Sequence, residues 1–169
     1  MKKLILGGVL AAMTVHADQV LTTDERVVAL TILGEARGEG KMGMYAIACV
    51  IQKRSHERNI TPAKVCLQKW QFSVWNGKDR QGKYRLKKES ELYYLWKTDR
   101  DVMMYARGLA RAFCSGKKFS QKITGSANHY CTLKTNPYWA YKKVKKDGKW
   151  VKVKIAPVKI IRNHKFYKL

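Results

Sequence analysis

From Thr22 to Arg37, "TTDERVVALTILGEAR", apolar and polar positions recur at helical intervals. Val28, Thr31, Ile32 and Glu35 fall at i, i+3, i+4 and i+7, hence on one face. Thr22 followed three residues later by Glu25 is a capping-box pattern, and Asp24 and Glu25 suit the positive start of a helix. Gly38 and Gly40 end the helix, so Glu35 extends its mostly apolar stripe near the C-terminal end. Residues 42–54, "MGMYAIACVIQKR", are apolar on almost every side until Gln52, which predicts a helix buried in the middle of a domain. The spacing predicts a loop over residues 59–85, with Trp70, Phe72 and Trp75 crowded around Gln71 and Ser73. It predicts one or two helices over residues 89–116, closed by Gly116, and an ordered loop over residues 125–141. Beyond it, partial alternation around Asp147-Gly148 predicts a β-hairpin near residues 142–154. The pattern reads as an α+β, mainly helical domain with a small β-hairpin element, without internal repeat or second domain boundary.

The chain start adds a compartment. "MKKLILGGVLAAMTVHA" has two lysines, an apolar run from Leu4 to Val15, and Val15 and Ala17 at the −3 and −1 positions of a cleavage site. That layout predicts a signal peptide over residues 1–17 and a single domain over 18–169, exported to the periplasm or secreted. A retained, weakly inserting anchor is the alternative, the apolar run being short for a bilayer span. Four cysteines, Cys49, Cys66, Cys114 and Cys131, then become disulfide candidates. Sequential pairing is attractive because each pair closes the same 17-residue separation. No Cys-x-x-Cys or His-Glu-x-x-His occurs, so neither a metal nor another cofactor is expected.

Charge narrows the partners. Losing Lys2 and Lys3 with the leader lowers the formal charge from +23 to +21, a field that draws polyanions. Outside the cytoplasm these are anionic envelope polymers; no nucleic acid is expected unless the chain stays in the cytoplasm. The lysines of the hairpin region read equally as a solvated face that protects a strand edge and as a grip on a polyanion.

The candidate chemistry is a carboxyl group. A glutamate on an apolar face loses hydration, which favours its protonated form and suits a general acid. Glu35 has that setting, although it could instead lie exposed or pair with Arg37 or Arg54. Glu39 is either a supporting group that holds Arg37 or the loop, or a second active-site carboxylate. Aromatic rings that stack on pyranose faces, mixed with amides and hydroxyls that bind their edges, fit a sugar substrate. Gln71, Phe72, Ser73, Asn128, His129, Tyr130, Tyr138 and Trp139 supply that mixture.

Four stretches in order resemble the cell-wall hydrolase family of the spore-cortex-lytic enzymes (SleB/CwlJ type). "TILGEARGEGKMGMYAIACVIQKR" resembles its signature helix-loop-helix, with Lys53 where an asparagine is usual. "VCLQKWQFSVW", "GSANHYCTLKTNPYWA" and the terminal "IRNHKFYKL" resemble its later motifs, so the likeness runs from about Thr22 to Leu169. The resemblance implies a lysozyme-like fold and cleavage of the β-1,4 bond between N-acetylmuramic acid and N-acetylglucosamine in peptidoglycan, usually as a lytic transglycosylase. The first glutamate of the motif, which falls on Glu35, is implied as the catalytic acid. No separate wall-binding domain precedes the motifs, which points to surface charge for substrate capture by a monomer, and to an envelope-remodelling or phage-type setting. Muramidase-type hydrolysis is the nearest alternative. A non-catalytic basic protein that binds the envelope or disrupts membranes is the alternative from another class.

Overall fold

The computed structural model describes residues 21–78, 84–85, 89–98 and 100–169; the leader expected at residues 1–17 lies outside them. Helix α1 is Thr23–Ala36. Its capping box is complete: the Thr22 N–H donates to Glu25 Oε2 at 2.8 Å, and the Glu25 N–H donates to Thr22 Oγ1 at 3.2 Å. A 3₁₀ turn, Arg37–Glu39, follows, and Gly40 at φ +64° swings the chain into helix α2, Gly40–Arg58. Residues 46 to 51 of α2 are all buried, as the apolar run predicts for a central helix. Asn59, left-handed at φ 49°, closes it.

The segment expected to be a loop contains helix α3, Pro62–Leu67. The cap was there to read: Thr61 Oγ1 accepts from the Lys64 N–H, and Pro62 occupies the first turn, where its missing N–H costs nothing. Helices α4, Glu89–Thr98, and α5, Arg100–Cys114, follow, and Gly116 turns the chain at φ +86°. Helix α1 packs against α2, α3 and α5 and sits at the centre of the core, with Val28, Ile32 and Leu33 fully buried.

Strands β1 (Gly77–Lys78) and β2 (Tyr84–Arg85) form a short antiparallel pair. Where an ordered loop was expected over residues 125–141, the chain makes strand β3, His129–Thr132. Strands β4 (Tyr141–Lys146) and β5 (Lys149–Lys154) form the basic hairpin, and strands β6 (Lys159–Ile161) and β7 (His164–Tyr167) complete the fold. Strand β7 lies between β3 and β6, antiparallel to both, and all four of its residues are buried. Only a partner arriving from the far end of the chain makes β3 a strand, which local pattern does not show. The architecture is α+β. Among the described residues no helix is long and apolar enough to cross a membrane.

The disulfide expectation is not met: all four cysteines are free. Equal spacing did not produce pairs because the side chains point to different neighbours. Cys49 Sγ lies against the Ser120 carbonyl at 3.6 Å, whereas Cys66 bonds with the Thr31 side chain. Cys131 Sγ meets the Thr135 carbonyl at 3.6 Å, whereas Cys114 lies beside Glu25 and Asp24. Burial pushes the Cys49 and Cys66 thiols up to about 12, and Cys114 to about 11, from the usual 9.0. None is a ready nucleophile at neutral pH. The folded chain holds these protons more tightly than the unfolded one. Their stabilising contribution is therefore complete below about pH 9 and lost as pH rises through the folded values. For these thiols the melting temperature should stay level from about pH 7 to that pH and fall above it; a melting temperature that climbs across the alkaline range would contradict this.

Candidate active site

Glu35, on the last turn of α1, faces a short 3₁₀ turn, Ser73–Trp75. One carboxyl oxygen, Oε1, accepts from Ser73 Oγ at 3.0 Å and from the Val74 N–H at 2.9 Å. The other, Oε2, accepts from the Tyr130 hydroxyl at 2.6 Å. Two segments remote in sequence from α1, the Ser73–Trp75 turn and β3, thus converge on one half-buried carboxyl group. Two of the three partners are hydroxyls, which donate to a carboxylate and can rotate to accept from a carboxylic acid. The site therefore accommodates both protonation states with little movement.

Local chemistry explains the closeness. A Cβ added to Gly34 would lie 2.2 Å from Val74 Cγ2, so only glycine lets the 3₁₀ turn press this tightly on α1. Trp75 fastens the turn, its Nε1–H donating to Thr31 Oγ1 at 2.8 Å. Thr31 is buried on the same helix face, and it donates in turn to the Val27 carbonyl at 2.8 Å. Phe72, fully buried, lies 6.4 Å from the Tyr130 ring and carries the Arg54 guanidinium over its face at 5.1 Å. Arg54 is buried, and burial lowers its pKa below the usual arginine range, yet an arginine remains a cation at neutral pH. It donates to the Asn128 carbonyl at 2.7 Å and to the Gln71 carbonyl at 3.2 Å, tying both loops together behind Glu35.

Burial, and then the adjacent Glu35 carboxylate, hold the Tyr130 phenol well above its usual 10.0. Tyr130 is consequently a hydrogen-bond donor throughout the neutral range. Its ring meets His164 edge-on at 5.4 Å and stacks on Phe166 at 5.9 Å. Replacing Tyr130 by Phe keeps this packing and removes one donor to Glu35. We expect turnover to fall about tenfold or more, since a hydrogen bond to a charged group is worth roughly 1.5–3 kcal/mol. Steady-state rates for Tyr130→Phe beside Ser73→Ala will check it, and unchanged rates in both would detach these residues from the chemistry.

Glu39 does different work. Its Oε2 accepts from the Asn163 N–H at 2.9 Å and its Oε1 from Asn163 Nδ2 at 3.2 Å, with His164 Nδ1 3.8 Å from Oε2. The carboxyl group thus joins the 3₁₀ turn after α1 to the β6–β7 turn. Gly43 makes room for it, since a Cβ there would lie 2.2 Å from Glu39 Cβ.

The remaining sequence candidates divide. Gln71 and Ser73 lie beside Glu35's turn, Gln71 Oε1 accepting from Arg58 at 2.8 Å. Asn128 is buried and bonds to Leu169 and Glu57. His129, adjacent to Tyr130 on β3, projects to the opposite side of the sheet and packs on Trp139 at 5.1 Å. Burial, then Arg54 and Arg58, lower its pKa below 6.5. Trp139 meets the Tyr167 ring edge-on at 5.4 Å, and Tyr138 is 84% exposed. Neither is brought to the Glu35 carboxyl. Sequence reading missed Gly34, the Val74 N–H, the Thr31–Trp75 link and His164. A glycine inside a helix directly before the glutamate was the available signal.

Among the described residues no group of His, Cys, Asp and Glu could hold a metal ion. The hollow of about 750 Å³ beside Gln52, His56, Ile60, Phe113 and Phe119 has no carboxyl group in its lining. It is a separate feature from the Glu35 carboxyl and its three hydrogen-bond donors.

A family model described as Cell Wall Hydrolase matches residues 38–167. The chain belongs to the cell wall hydrolase family. No curated protein and no solved structure matches it. This hydrolase acts on peptidoglycan, outside the cytoplasm. The matched stretch contains Glu39, Ser73, Val74 and Tyr130, and begins three residues after Glu35.

Proposed function

We propose that this cell wall hydrolase is a lytic transglycosylase that cleaves the β-1,4 bond between N-acetylmuramic acid and N-acetylglucosamine, with Glu35 as its acid and base. The observation that carries the reading is the convergence of Ser73, the Val74 N–H and Tyr130 on the Glu35 carboxyl. Protonated Glu35 gives its proton to the glycosidic oxygen as the C1–O bond breaks and the muramic ring flattens toward an oxocarbenium ion. The resulting carboxylate then takes the proton from the same sugar's C6 hydroxyl, whose oxygen bonds to C1. That step closes a 1,6-anhydro ring and restores the acid. Only the hydroxyl beside the protonated oxygen, Ser73 or Tyr130, has to turn with each transfer, while the other hydroxyl and the fixed Val74 N–H keep the carboxyl in place.

Hydrolysis by the common two-carboxylate scheme needs a second carboxylate free to act as base or nucleophile. Glu39 instead joins the Arg37–Glu39 turn to the β6–β7 turn through two donors of Asn163, a structural contact that supports the single-carboxylate route. The leader layout supports export to the periplasm or the medium, and the basic charge supports capture of anionic envelope polymers by a monomeric enzyme.

Digestion of purified peptidoglycan followed by mass analysis of the muropeptides tests the reading. Anhydro-muropeptides, one water lighter than reducing ends, are expected. Reducing ends would replace transglycosylation by muramidase-type hydrolysis, and no release would leave a non-catalytic binder. Such a binder would also lose its activity in salt, since exposed charges are screened beyond about 8–10 Å. The enzyme should lose affinity in salt and keep its turnover on soluble fragments.

A further inference from the structure

Among the described residues strands β4 and β5 pair only with each other, in a two-stranded ribbon whose register runs from Tyr141 opposite Lys154 to Lys146 opposite Lys149. Asp147 at φ 49° and Gly148 at φ 78° make its turn, the left-handed pair that a two-residue hairpin loop requires. An isolated ribbon of this kind is marginal in water. This one is nonetheless tied to the body at its base. The Ile155 N–H donates to the Ala140 carbonyl at 2.8 Å, Lys154 Nζ donates to Asn136 Oδ1 at 2.8 Å, and the adjacent Trp139 packs on Tyr167 of β7. Strand β7 pairs with β3, which carries Tyr130. The ribbon is thus fixed to the same sheet that holds a Glu35 partner.

Its two faces differ. Cross-strand partners share a face, and alternate residues along a strand return to it about 7 Å apart. One face therefore carries Tyr141, Lys143 and Lys145 from β4 with Trp150, Lys152 and Lys154 from β5. Lys152 Nζ stands 4.5 Å from the Tyr141 ring centre, in keeping with that arrangement. The other face carries three valines, Val144, Val151 and Val153, among Lys142, Lys146 and Lys149. A lysine fringe that served solubility alone would not need Trp150 held 70% exposed among its charges.

We propose that the face bearing Tyr141, Lys143, Lys145, Trp150 and Lys152 is a docking surface for a carboxylate-bearing glycan strand, outside the site that cleaves it. The choice of polymer rests on the peptidoglycan-cleaving reading above; the surface itself does not. Between residues 141 and 154 there are seven lysines and one acidic residue, so the partner is anionic. Two aromatic rings on that face match the flat C–H faces of pyranose rings, which a polyol phosphate lacks. Membrane insertion fits less well, because the tip, Lys146-Asp147-Gly148-Lys149, is the most polar part of the ribbon.

Two triple variants of equal charge test the proposal: Lys143→Gln/Lys145→Gln/Lys152→Gln on the aromatic face and Lys142→Gln/Lys146→Gln/Lys149→Gln on the valine face. Binding to insoluble peptidoglycan is measured by co-sedimentation, and cleavage by muropeptide release from soluble glycan fragments. The aromatic-face triple should bind roughly tenfold more weakly, an exposed ion pair being worth up to a few-fold each. The valine-face triple should lose much less, Trp150→Ala should also weaken binding, and all three should cleave soluble fragments normally. Equal losses from the two triples would reduce the ribbon to a share of the overall charge and overturn the proposal. So would undiminished binding to peptidoglycan whose carboxyl groups have been amidated, or tighter face-dependent binding to anionic phospholipid vesicles than to peptidoglycan. Binding and cleavage are read separately, so a protein that docks without cleaving would refute the enzymatic reading and leave this one standing.

Discussion

Glu35→Gln should reduce muropeptide release by about 10²–10⁴-fold, the usual worth of a positioned proton donor. The substitution separates chemistry from structure. Glutamine has the size of glutamate, and its amide oxygen can accept from Ser73 Oγ and the Val74 N–H as Glu35 Oε1 does. Its amide nitrogen can donate to the Tyr130 hydroxyl in place of accepting from it. The variant should therefore melt close to the parent and sediment with peptidoglycan as the parent does. What it lacks is a proton that can leave. Turnover within a few-fold of the parent would transfer the acid role elsewhere and remove the basis of the transglycosylase scheme.

Gly34→Ala is the second large effect, and it runs against helix propensity. In an exposed helix, alanine for glycine would stabilise by roughly 1 kcal/mol. Here the new methyl would sit 2.2 Å from Val74 Cγ2 and 2.7 Å from Val74 Cβ, distances that atoms cannot share. Either α1 or the Ser73–Trp75 turn must shift. Because the Val74 N–H and Ser73 Oγ hold Glu35 from that turn, a shift loosens the carboxyl at the same time. We expect a stability loss of about 1–3 kcal/mol from overpacking. We also expect activity to drop further than stability alone explains, by about 10²-fold for a displacement near 1 Å. Denaturant unfolding and steady-state rates on the same preparation will show both. A variant as stable as the parent and equally active would mean that the contact yields without consequence.

Glu35 and Glu39, four residues apart in one motif, show how differently the fold treats similar groups. One is held by a backbone N–H and two hydroxyls that tolerate a proton coming and going. The other is held by both donors of Asn163 in a turn contact. Sequence spacing left the supporting and catalytic readings of Glu39 open, since the residue that engages it lies 124 positions away.

What the sequence by itself determined is local. The capping box at Thr22, the apolar face of α1 on which Glu35 sits, the buried run of α2 and the Asp147-Gly148 turn are each set by neighbours within a few residues, and each formed where the pattern placed it. Helix α3 was also legible in Thr61 and Pro62, but the aromatic residues after it drew the reading toward a loop. Tertiary structure decided the rest. Strand β3 exists because β7 pairs with it, the sequential cysteine pairs do not form because their side chains face different partners, and His129 and Tyr130 part company because successive residues of a strand point to opposite sides. The carboxyl at the centre of the site shows the division most clearly. Periodicity put Glu35 on an apolar face, but its partners come from positions 73, 74 and 130. Hydrogen bonds between such distant segments depend on how helices and sheet pack, and no local pattern encodes that packing.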